Sequence, residues 1–449
     1  MNDQQIRQME RFGRKESNTS AKYIRRIKEL SGAPETLAPF TDVLSRVYTD
    51  LQDVEHPGKK TVGTYCVMAP HELIYAAGAQ PVKLCSGNYT SASIGDDVVP
   101  RDACPLVKAV AGFGEIGMMP LYENLSLMAV PITCDCKKKI ADLLRQYCDV
   151  IPMQVPATKE DEDVEQYVAE LYSFVHKLED VTGNKVTYES LAEGIKKVGY
   201  AQYELSELVN MRRKYPYLMR GTHLMTIMNA SSYMDAGKWA DCLHLVNREL
   251  RTKIRRKERV TSKALPRILV TGSPIIFPNM KIPLLIEEMG AYLASDETCM
   301  GERGMYDPVV PVDQSFDGLM RSLAIRSIRP CSCPTFADNT QRIYRVKQMI
   351  QDNQIQGVIY HVLRGCLVYD YEYKLLEEEL GKLDIPVIRL ESDYNEEDVE
   401  QLRVRIEAFI ELIKLRLPPE KRRGPYTENN KGAGLSSETT KTMNTEEIL

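Results

Sequence analysis

The two halves of this 449-residue chain carry the same landmarks in the same order, and this repeat constrains the fold more than any other feature. Each half contains a Gly-Ala pair that ends a helix-like run, a Cys-Pro pair, and a cysteine that follows an apolar, strand-like run. The landmarks are Gly78-Ala79, Cys104-Pro105 and Cys134 in the first half, and Gly290-Ala291, Cys333-Pro334 and Cys366 in the second. We therefore expect two similar domains, whose cysteines face each other across a cleft.

Each half alternates short β-rich segments with helical ones. The first opens with TVGTYCVM, HELIYAAGA and QPVKLCSG, and the second opens with RILVTGSPIIFP. This alternation predicts α/β domains with doubly wound parallel sheets, whose ligands lie beyond the carboxyl ends of the strands. Between the halves, from Glu160 to Arg259, apolar residues recur every three or four positions, which is typical of helices with one buried face.

These changes of pattern divide the chain into five segments. The last segment is poor in large apolar residues and rich in Gly, Ser, Thr and Asn, which predicts disorder. The segments are an N-terminal helical lead-in (1–58), a first α/β domain (59–157), a helical bridge (158–263), a second α/β domain (264–418) and a disordered tail (419–449).

Composition excludes several classes of protein. The net charge is −5, from 58 basic and 63 acidic residues, which provides no overall attraction for nucleic acid. No apolar run reaches the roughly 18 residues of a membrane span, and the polar N-terminus does not look like a signal peptide. We therefore expect a cytoplasmic protein. The basic run Arg251–Arg259 is interpreted as a solvated helix face, or alternatively as a docking site for an acidic partner or a CoA-like phosphate.

Eleven cysteines in a reducing compartment indicate metal binding, catalysis or core packing rather than disulfides. No compact ferredoxin-type run is present, so spacing alone leaves a metal site and core packing open. Cys148 and Cys242 lie on helical patterns and are assigned to packing. The cysteines that follow strand-like runs are the candidates for metal ligation.

Four segments resemble the motifs of the 2-hydroxyacyl-CoA dehydratase and benzoyl-CoA reductase superfamily. They are YCVMAPHELIYAAGAQPVKL, DACPLVK, TCDCKKK and HVLRGC, and the resemblance covers roughly Thr61 to Leu415. It implies two flavodoxin-like domains joined by helices, with a [4Fe-4S] cluster in the cleft between them. By motif position, the resemblance carries the three cluster ligands over to Cys104, Cys134 and Cys366.

This chain has a second set of cysteines that the single-cluster pattern leaves unused. Cys66, Cys299 and Cys333 supply that set, and their presence resembles the double-cubane cluster proteins, in which one chain holds two sulfide-bridged [4Fe-4S] cubanes. This branch is the one we expect.

Three assignments within these two sets stay open. Two do so because residues two apart on a strand or turn exchange roles with a small shift of register, and the third because Cys85 follows Gly78 much as Cys299 follows Gly290. They are Cys134 against Cys136, Cys333 against Cys331, and Cys299 against Cys85.

The resemblance also implies an activity and a partner. We expect an iron–sulfur oxidoreductase that receives low-potential electrons from a separate homodimeric ATPase activator with its own iron–sulfur cluster. The chain itself contains no P-loop motif, as this division of labour requires. A homodimer and a small-molecule substrate are expected. The alternatives are an (R)-2-hydroxyacyl-CoA dehydratase subunit with a single [4Fe-4S] cluster, and a cluster-free interaction protein.

Candidates for proton transfer are few. Glu72 lies in the first turn of a helix that should point toward the cleft, and His361 lies at a strand end shortly before a predicted ligand. Both also have ordinary structural interpretations, and His71 is left open.

One glycine motif has a misleading form. Gly112-Phe-Gly114-Glu-Ile-Gly117 matches G-x-G-x-x-G, but it follows a helical run instead of a strand. We therefore predict that these glycines end a helix and form a loop, and do not bind a dinucleotide.

Overall fold

The computed structural model describes residues 3–53, 58–116, 120–259, 265–305 and 307–416. The tail predicted to be disordered, 419–449, lies outside these residues. Two helices begin the chain, and one 3₁₀ turn (Glu35–Leu37) connects them: α1 (Asp3–Glu29) and α2 (Ala38–Tyr48). The apolar residues at helical spacing on α2 are buried, so this lead-in packs into the core; they are Phe40, Leu44 and Val47.

The first α/β unit follows. Its strands are β1 (Thr61–Thr64), β2 (Gln80–Lys83), β3 (Leu125–Ile132) and β4 (Val150–Gln154). Its helices are α3 (His71–Ala76), α4 (Tyr89–Gly95), α5 (Pro105–Ile116), α6 (Pro120–Glu123) and α7 (Asp135–Leu143), with a 3₁₀ turn at Leu144–Gln146. Every neighbouring pair of strands is parallel, and the order across the sheet is β2-β1-β3-β4.

Within its described part, the bridge between the α/β units is built from four helices joined by short loops. It consists of α8 (Asp161–Thr182), α9 (Tyr188–Lys214), α10 (Gly221–Ala230) and α11 (Ala236–Arg255). A capping box between Glu160 and Asp163 starts α8. Gly183, at a φ of 75°, ends it in the left-handed conformation that glycine adopts readily. Among the described helices, none combines the length and the apolar character needed to cross a membrane.

The second α/β unit repeats the first. Its strands are β5 (Arg267–Gly272), β6 (Tyr292–Glu297), β7 (Gly357–Leu363) and β8 (Val387–Ser392). Its helices are α12 (Lys281–Glu288), α13 (Phe316–Ile328), α14 (Thr340–Asn353), α15 (Leu367–Gly381) and α16 (Val399–Arg416), with a 3₁₀ turn at Glu302–Met305. The strands are again parallel, in the order β6-β5-β7-β8. The predicted α/β class, with two similar parallel sheets, is confirmed.

One continuous apolar core joins the two sheets. It contains Phe40 from the lead-in, Val82 from the first sheet, Trp239 from the bridge and Val270 from the second sheet, all buried. A second apolar cluster packs α8 and α13 over the first sheet. Because α13 belongs to the second unit by sequence, the two units are interlocked.

The prediction of a loop at the G-x-G-x-x-G run is wrong for its first two glycines, which lie inside α5. A Cβ atom at Gly112 would lie 1.9 Å from the carbonyl oxygen of Ser91 on α4. One at Gly114 would lie 2.6 Å from the ring of Tyr147. Both glycines therefore let neighbouring residues pack closely against α5. Gly117 lies outside the described residues.

Candidate metal centre

Five cysteines come two or three residues after the ends of five strands. They are Cys66 after β1, Cys85 after β2, Cys134 after β3, Cys299 after β6 and Cys366 after β7. Because the carboxyl ends of parallel strands lie at one edge of a sheet, these thiols collect at the edges where open α/β sheets bind ligands.

A cavity between the two sheets brings most of these thiols together. Cys104 reaches it from the residue before α5, and Cys331 and Cys333 reach it from the loop between α13 and α14. The cavity has a volume of ≈ 140 Å³ and is lined by seven cysteines: Cys66, Cys104, Cys134, Cys299, Cys331, Cys333 and Cys366.

All six cysteines predicted as ligands therefore line one cavity, together with one alternative. Cys134 lines it and Cys136 does not, and Cys299 lines it while Cys85 does not. Cys331 and its neighbour two residues later both line it. In two of the three open pairs, therefore, only one cysteine lines the cavity. In the third pair, Cys331 and Cys333, both do, and that assignment stays open.

Three of the lining cysteines share one local arrangement, in which each precedes a helix. Cys134 is the N-cap of α7, Cys366 is the N-cap of α15, and Cys104 directly precedes the first residue of α5. A helix N-terminus carries a partial positive charge of about half an elementary charge, which favours a thiolate. We call these three the helix-end cysteines. Burial raises the pKa of Cys104, and the neighbouring thiols of Cys366 and Cys134 raise it further.

The other four lining cysteines lie in loops, outside any helix or strand: Cys66, Cys299, Cys331 and Cys333. We call them the loop cysteines. Burial raises the pKa of each of the last three, and the thiol of Cys66 adds to the effect. The thiol of Cys134 thus raises the pKa values of the other two helix-end cysteines, and the thiol of Cys66 raises those of the other three loop cysteines.

A buried arginine, Arg303, connects the segments that carry the loop cysteines. Arg303 donates hydrogen bonds to Glu297 Oε1 at 3.2 Å, to the carbonyl oxygen of Ser332 at 3.2 Å, and to the hydroxyl of Tyr369. Glu297 also accepts a hydrogen bond from Arg342 Nε at 3.3 Å. The guanidinium of Arg303 acts against burial by lowering the pKa values of neighbouring thiols. No local motif marks Arg303, because its role depends on contacts made only in the folded chain.

The turn before Cys366 touches the loop before Cys104. Gly365 has a φ of +76°, and a Cβ atom there would lie 2.3 Å from the carbonyl oxygen of Asp102. Glycine alone permits both the conformation and the approach. This contact brings two helix-end cysteines together from different sheets.

The chemistry of this donor set fits an iron–sulfur cluster, since thiolates are the ordinary cluster ligands. Within the described ranges, no three His, Cys, Asp or Glu side chains converge closely enough to hold one metal ion. A cubane does not require such convergence, because its thiolates bind different iron atoms of the cluster. Burial raises the pKa values of Cys104 and Cys366, so iron binding would displace protons from them.

The predicted acid–base residues lie behind the cavity surface. Glu72 is buried and accepts a hydrogen bond at 2.7 Å from Nη2 of Arg326, and the arginine is the member of this pair that lines the cavity. His361 has both ring nitrogens occupied: Nδ1 lies 2.9 Å from the carbonyl oxygen of Ser273, and Nε2 lies 2.8 Å from Oγ of Ser392. Burial lowers the pKa of His361 to about 4.

His71 has a similar environment. Its Nε2 lies 3.2 Å from Oγ1 of Thr64. Burial, together with the nearby charges of Lys83 and Arg326, lowers the pKa of His71 to about 3. At neutral pH the imidazoles of His71 and His361 are therefore uncharged.

Comparison with known proteins identifies curated relatives along most of the chain. YjiM of Escherichia coli (strain K12) is 28% identical over 85% of this chain and 98% of its own length. The (R)-phenyllactyl-CoA dehydratase beta subunit of Clostridium sporogenes is 24% identical, over 81% of this chain and 94% of its own. The beta subunit of (R)-2-hydroxyglutaryl-CoA dehydratase from Acidaminococcus fermentans is 22% identical, over 83% and 98%.

Among solved structures, the SBP FpvC from Pseudomonas aeruginosa in complex with Mn²⁺ aligns with 80% of this chain and 99% of its own. The alignment has 10% sequence identity and a TM-score of 0.20. A TM-score this low does not indicate a common fold.

The family model described as 2-hydroxyglutaryl-CoA dehydratase, D-component, matches residues 66–413. This range includes the second sheet, the first sheet except for β1, the helical bridge and all seven cysteines that line the cavity. The resemblance predicted from the four sequence motifs is thereby confirmed, and the chain belongs to the 2-hydroxyglutaryl-CoA dehydratase D-component family.

Proposed function

We propose that this chain is a low-potential reductase that reduces a small substrate at a double-cubane cluster, two [4Fe-4S] cubanes bridged by sulfide. Single electrons come from a separate homodimeric ATPase activator that carries its own iron–sulfur cluster. ATP hydrolysis by that partner lets it deliver electrons at a potential otherwise out of reach. The reductase acts as a homodimer, because one chain supplies both ligand sets and needs no second kind of subunit.

The observation that carries this proposal is the lining of one cavity by two groups of cysteines. The helix-end cysteines would hold one cubane. Cys66, Cys299 and Cys333 would hold the other, with Cys331 as the alternative to Cys333. When bound, the clusters would accept electrons from the activator and pass them to the substrate.

The side chains around the cavity would orient the substrate and handle protons. Arg326 lines the cavity, so it would meet a substrate there, and Glu72 holds its guanidinium from behind. Glu72 remains our candidate for proton exchange, from its position directly behind this wall. For His361, we propose a structural role, because both of its ring nitrogens are already occupied.

Counting iron and acid-labile sulfide after anaerobic purification tests this function. About eight irons per chain supports two cubanes, whereas about four indicates the single-cluster dehydratase type. A chain without iron contradicts both functions.

A set of matched variants then tests the ligands. Replacing Cys66, Cys299 and Cys333 together by alanine should leave about half of the iron, because the helix-end set stays complete. The control replaces Cys85, Cys148 and Cys242, none of which lines the cavity, and should keep the full content. Equal iron in both triple variants contradicts the second ligand set.

A further inference from the structure

A second cavity lies at the carboxyl edges of the two sheets, apart from the metal centre. It has a volume of ≈ 360 Å³, and none of its described lining residues also lines the cysteine cavity. Gly87 lines it from the loop after β2, Asn279 from the loop after β5, and Tyr394 from the loop after β8, while α1 covers it. Open parallel sheets bind ligands at this edge. We call this space the α1 cavity.

Contacts between protein atoms fix the walls of the α1 cavity. The backbone N–H of Gly87 donates to the carbonyl oxygen of Phe277 at 3.1 Å, which joins loops of the two sheets. Lys281 is 1% exposed, and its Nζ donates to the carbonyl oxygens of Asp393 at 2.6 Å and Asn395 at 2.7 Å. The cavity is therefore held open by the fold.

A buried carboxylate lines this cavity without a cationic partner. Glu16 of α1 is 2% exposed, and its Oε1 accepts a hydrogen bond from Oγ of Ser20 at 2.9 Å. Within the described part of the chain, no lysine or arginine nitrogen lies within 4.0 Å of its carboxylate. Buried carboxylates are ordinarily paired, so the counter-ion of Glu16 is missing from the protein itself.

A buried hydroxyl in the same lining also lacks a partner. Tyr394 is 4% exposed, and among the described residues its hydroxyl group has no hydrogen-bond partner. An unsatisfied buried polar group of this kind marks the place of a water molecule or a ligand. It is a second observation, independent of Glu16, that indicates an occupant.

The other charges around the α1 cavity leave an excess of negative charge. They belong to Lys15, Glu396 and Glu397. Nζ of Lys22 donates to Glu396 at 2.8 Å and balances that carboxylate. When Glu16 is ionised, Glu16 and Glu397 therefore face the single ammonium group of Lys15.

Lys15 does not pair with its neighbour in the sequence. Its Nζ lies 4.9 Å from the centre of the Tyr89 ring, on the cavity wall. The ring of Tyr23 also lines the cavity. Aromatic faces attract ammonium groups, and they also cover apolar carbon atoms. A volume of ≈ 360 Å³ lies within the range of ligand pockets and exceeds the needs of a single inorganic ion.

We propose that the α1 cavity binds a small organic ammonium ion, with Glu16 as its counter-ion. The ammonium group donates to the Glu16 carboxylate, and the carbon skeleton lies against the rings of Tyr23 and Tyr89. This site is separate from the metal centre, and the inference does not depend on the proposed reductase function.

Binding at this site should displace a proton. Burial raises the pKa of Glu16 to about 7, against the opposite effects of the Ser20 hydrogen bond and the Lys15 charge. Near neutral pH, part of the protein therefore carries a protonated Glu16. A bound cation favours the ionised carboxylate, so the proton leaves as the ligand binds. Glu16→Gln separates this proton from any that Lys15, Glu396 or Glu397 exchanges.

Isothermal titration calorimetry of the full-length protein near neutral pH tests this inference. The probes are ethanolamine, choline and putrescine, with ethylene glycol and butanediol as uncharged counterparts. At least one amine should bind with a Kd of about 1 mM or tighter, and its heat of binding should vary with the buffer because a proton is released. Neither alcohol should bind. Glu16→Gln should weaken binding at least tenfold and abolish the proton release, whereas Glu29→Gln, an exposed change on the same helix, should alter neither.

The inference is overturned if none of the three amines binds, if the alcohols bind equally well, or if Glu16→Gln keeps the affinity of the wild type. Should Glu16→Gln prove unstable, Thr19→Phe decides, because it fills the cavity from α1 and keeps the Glu16 carboxylate. Unchanged binding in Thr19→Phe contradicts the site. Iron measured in the same samples reports on the metal centre alone. A chain without iron that binds the amine contradicts the proposed reductase and supports this site.

Discussion

Arg326 of helix α13 donates a hydrogen bond to Glu72 of helix α3 over 2.7 Å, and both side chains are largely buried. The two helices belong to different halves of the sequence. Their ion pair therefore ties the two α/β units together at the wall of the cavity. It also gives the predicted proton donor a fixed partner.

Replacing Glu72 by Gln should destabilise the protein by about 3 kcal/mol, because it leaves the Arg326 charge buried without a partner. Urea unfolding under anaerobic conditions measures the change. Substrate reduction should fall as well, since the guanidinium loses its orientation.

The Glu165–Arg321 ion pair provides the control, because it joins α8 to the same helix α13 but is exposed. Glu165→Gln should change the free energy of unfolding by about 0.5 kcal/mol or less. A double variant of Glu72 and Arg326 should recover part of the loss. If the losses of the two single variants simply add up in the double variant, the Glu72 and Arg326 side chains are not coupled.

Gly365→Ala should separate the two helix-end loops. The substitution places a Cβ atom against the Asp102 carbonyl and strains a positive φ, which together cost on the order of 1–3 kcal/mol. The helix-end cubane should be lost, leaving about half of the iron. The matched control is Gly290→Ala, where φ is +83° but nothing lies within 4 Å of the added carbon. Normal iron content in Gly365→Ala would show that this contact is dispensable.

Single substitutions distinguish Cys331 from Cys333 as the cluster ligand, since both line the cavity. Cys333→Ala should lose the cluster of the loop group, while Cys331→Ala should retain it, because Cys333 repeats the Cys-Pro landmark of Cys104. Iron analysis of each variant measures the outcome, with Cys242→Ala as the control. The reverse result would transfer the ligand role to Cys331.

His361 should affect stability at acidic pH. Its pKa is about 4 in the folded protein, against about 6.5 in an unfolded chain. Between these two pH values only the unfolded chain binds the proton. The free energy of unfolding therefore falls as the pH drops, by up to about 1.4 kcal/mol per pH unit. His361→Gln should therefore lose stability less steeply than the wild type between pH 6.5 and 4.

Unfolding curves across this pH range, compared with the exposed control His176→Gln, measure the difference. The pH profile of substrate reduction should keep its shape in a soluble His361 variant. A shifted acid limb would instead assign His361 a role in proton transfer.

Much of the architecture could be predicted because it is local or repeated. The alternation of segments predicts parallel sheets, and the repeated landmarks predict that Cys134 and Cys366 occupy equivalent strand ends. Strand lengths were harder to predict. The TVGTYCVM segment keeps only Thr61–Thr64 in the sheet, because the chain turns at once to bring Cys66 to the edge.

Contacts between distant segments could not be predicted. The packing of Gly112 against Ser91 keeps that glycine inside a helix, although its motif suggests a loop. Likewise, Lys159 and Cys331 are 172 residues apart in the chain, and no sequence period relates them. Tertiary structure alone brings Nζ of Lys159 within 2.7 Å of the carbonyl oxygen of Cys331.

The hydrogen bonds of Arg303 have a consequence for how the centre is assembled. Glu297, Ser332 and Tyr369 tether the loops of Cys299 and Cys333 through contacts made entirely by protein atoms. Small zinc domains, by contrast, fold only when their metal binds. Here protein contacts alone position the loops that would hold the proposed cluster. We therefore expect iron to insert into a site that the folded chain already forms.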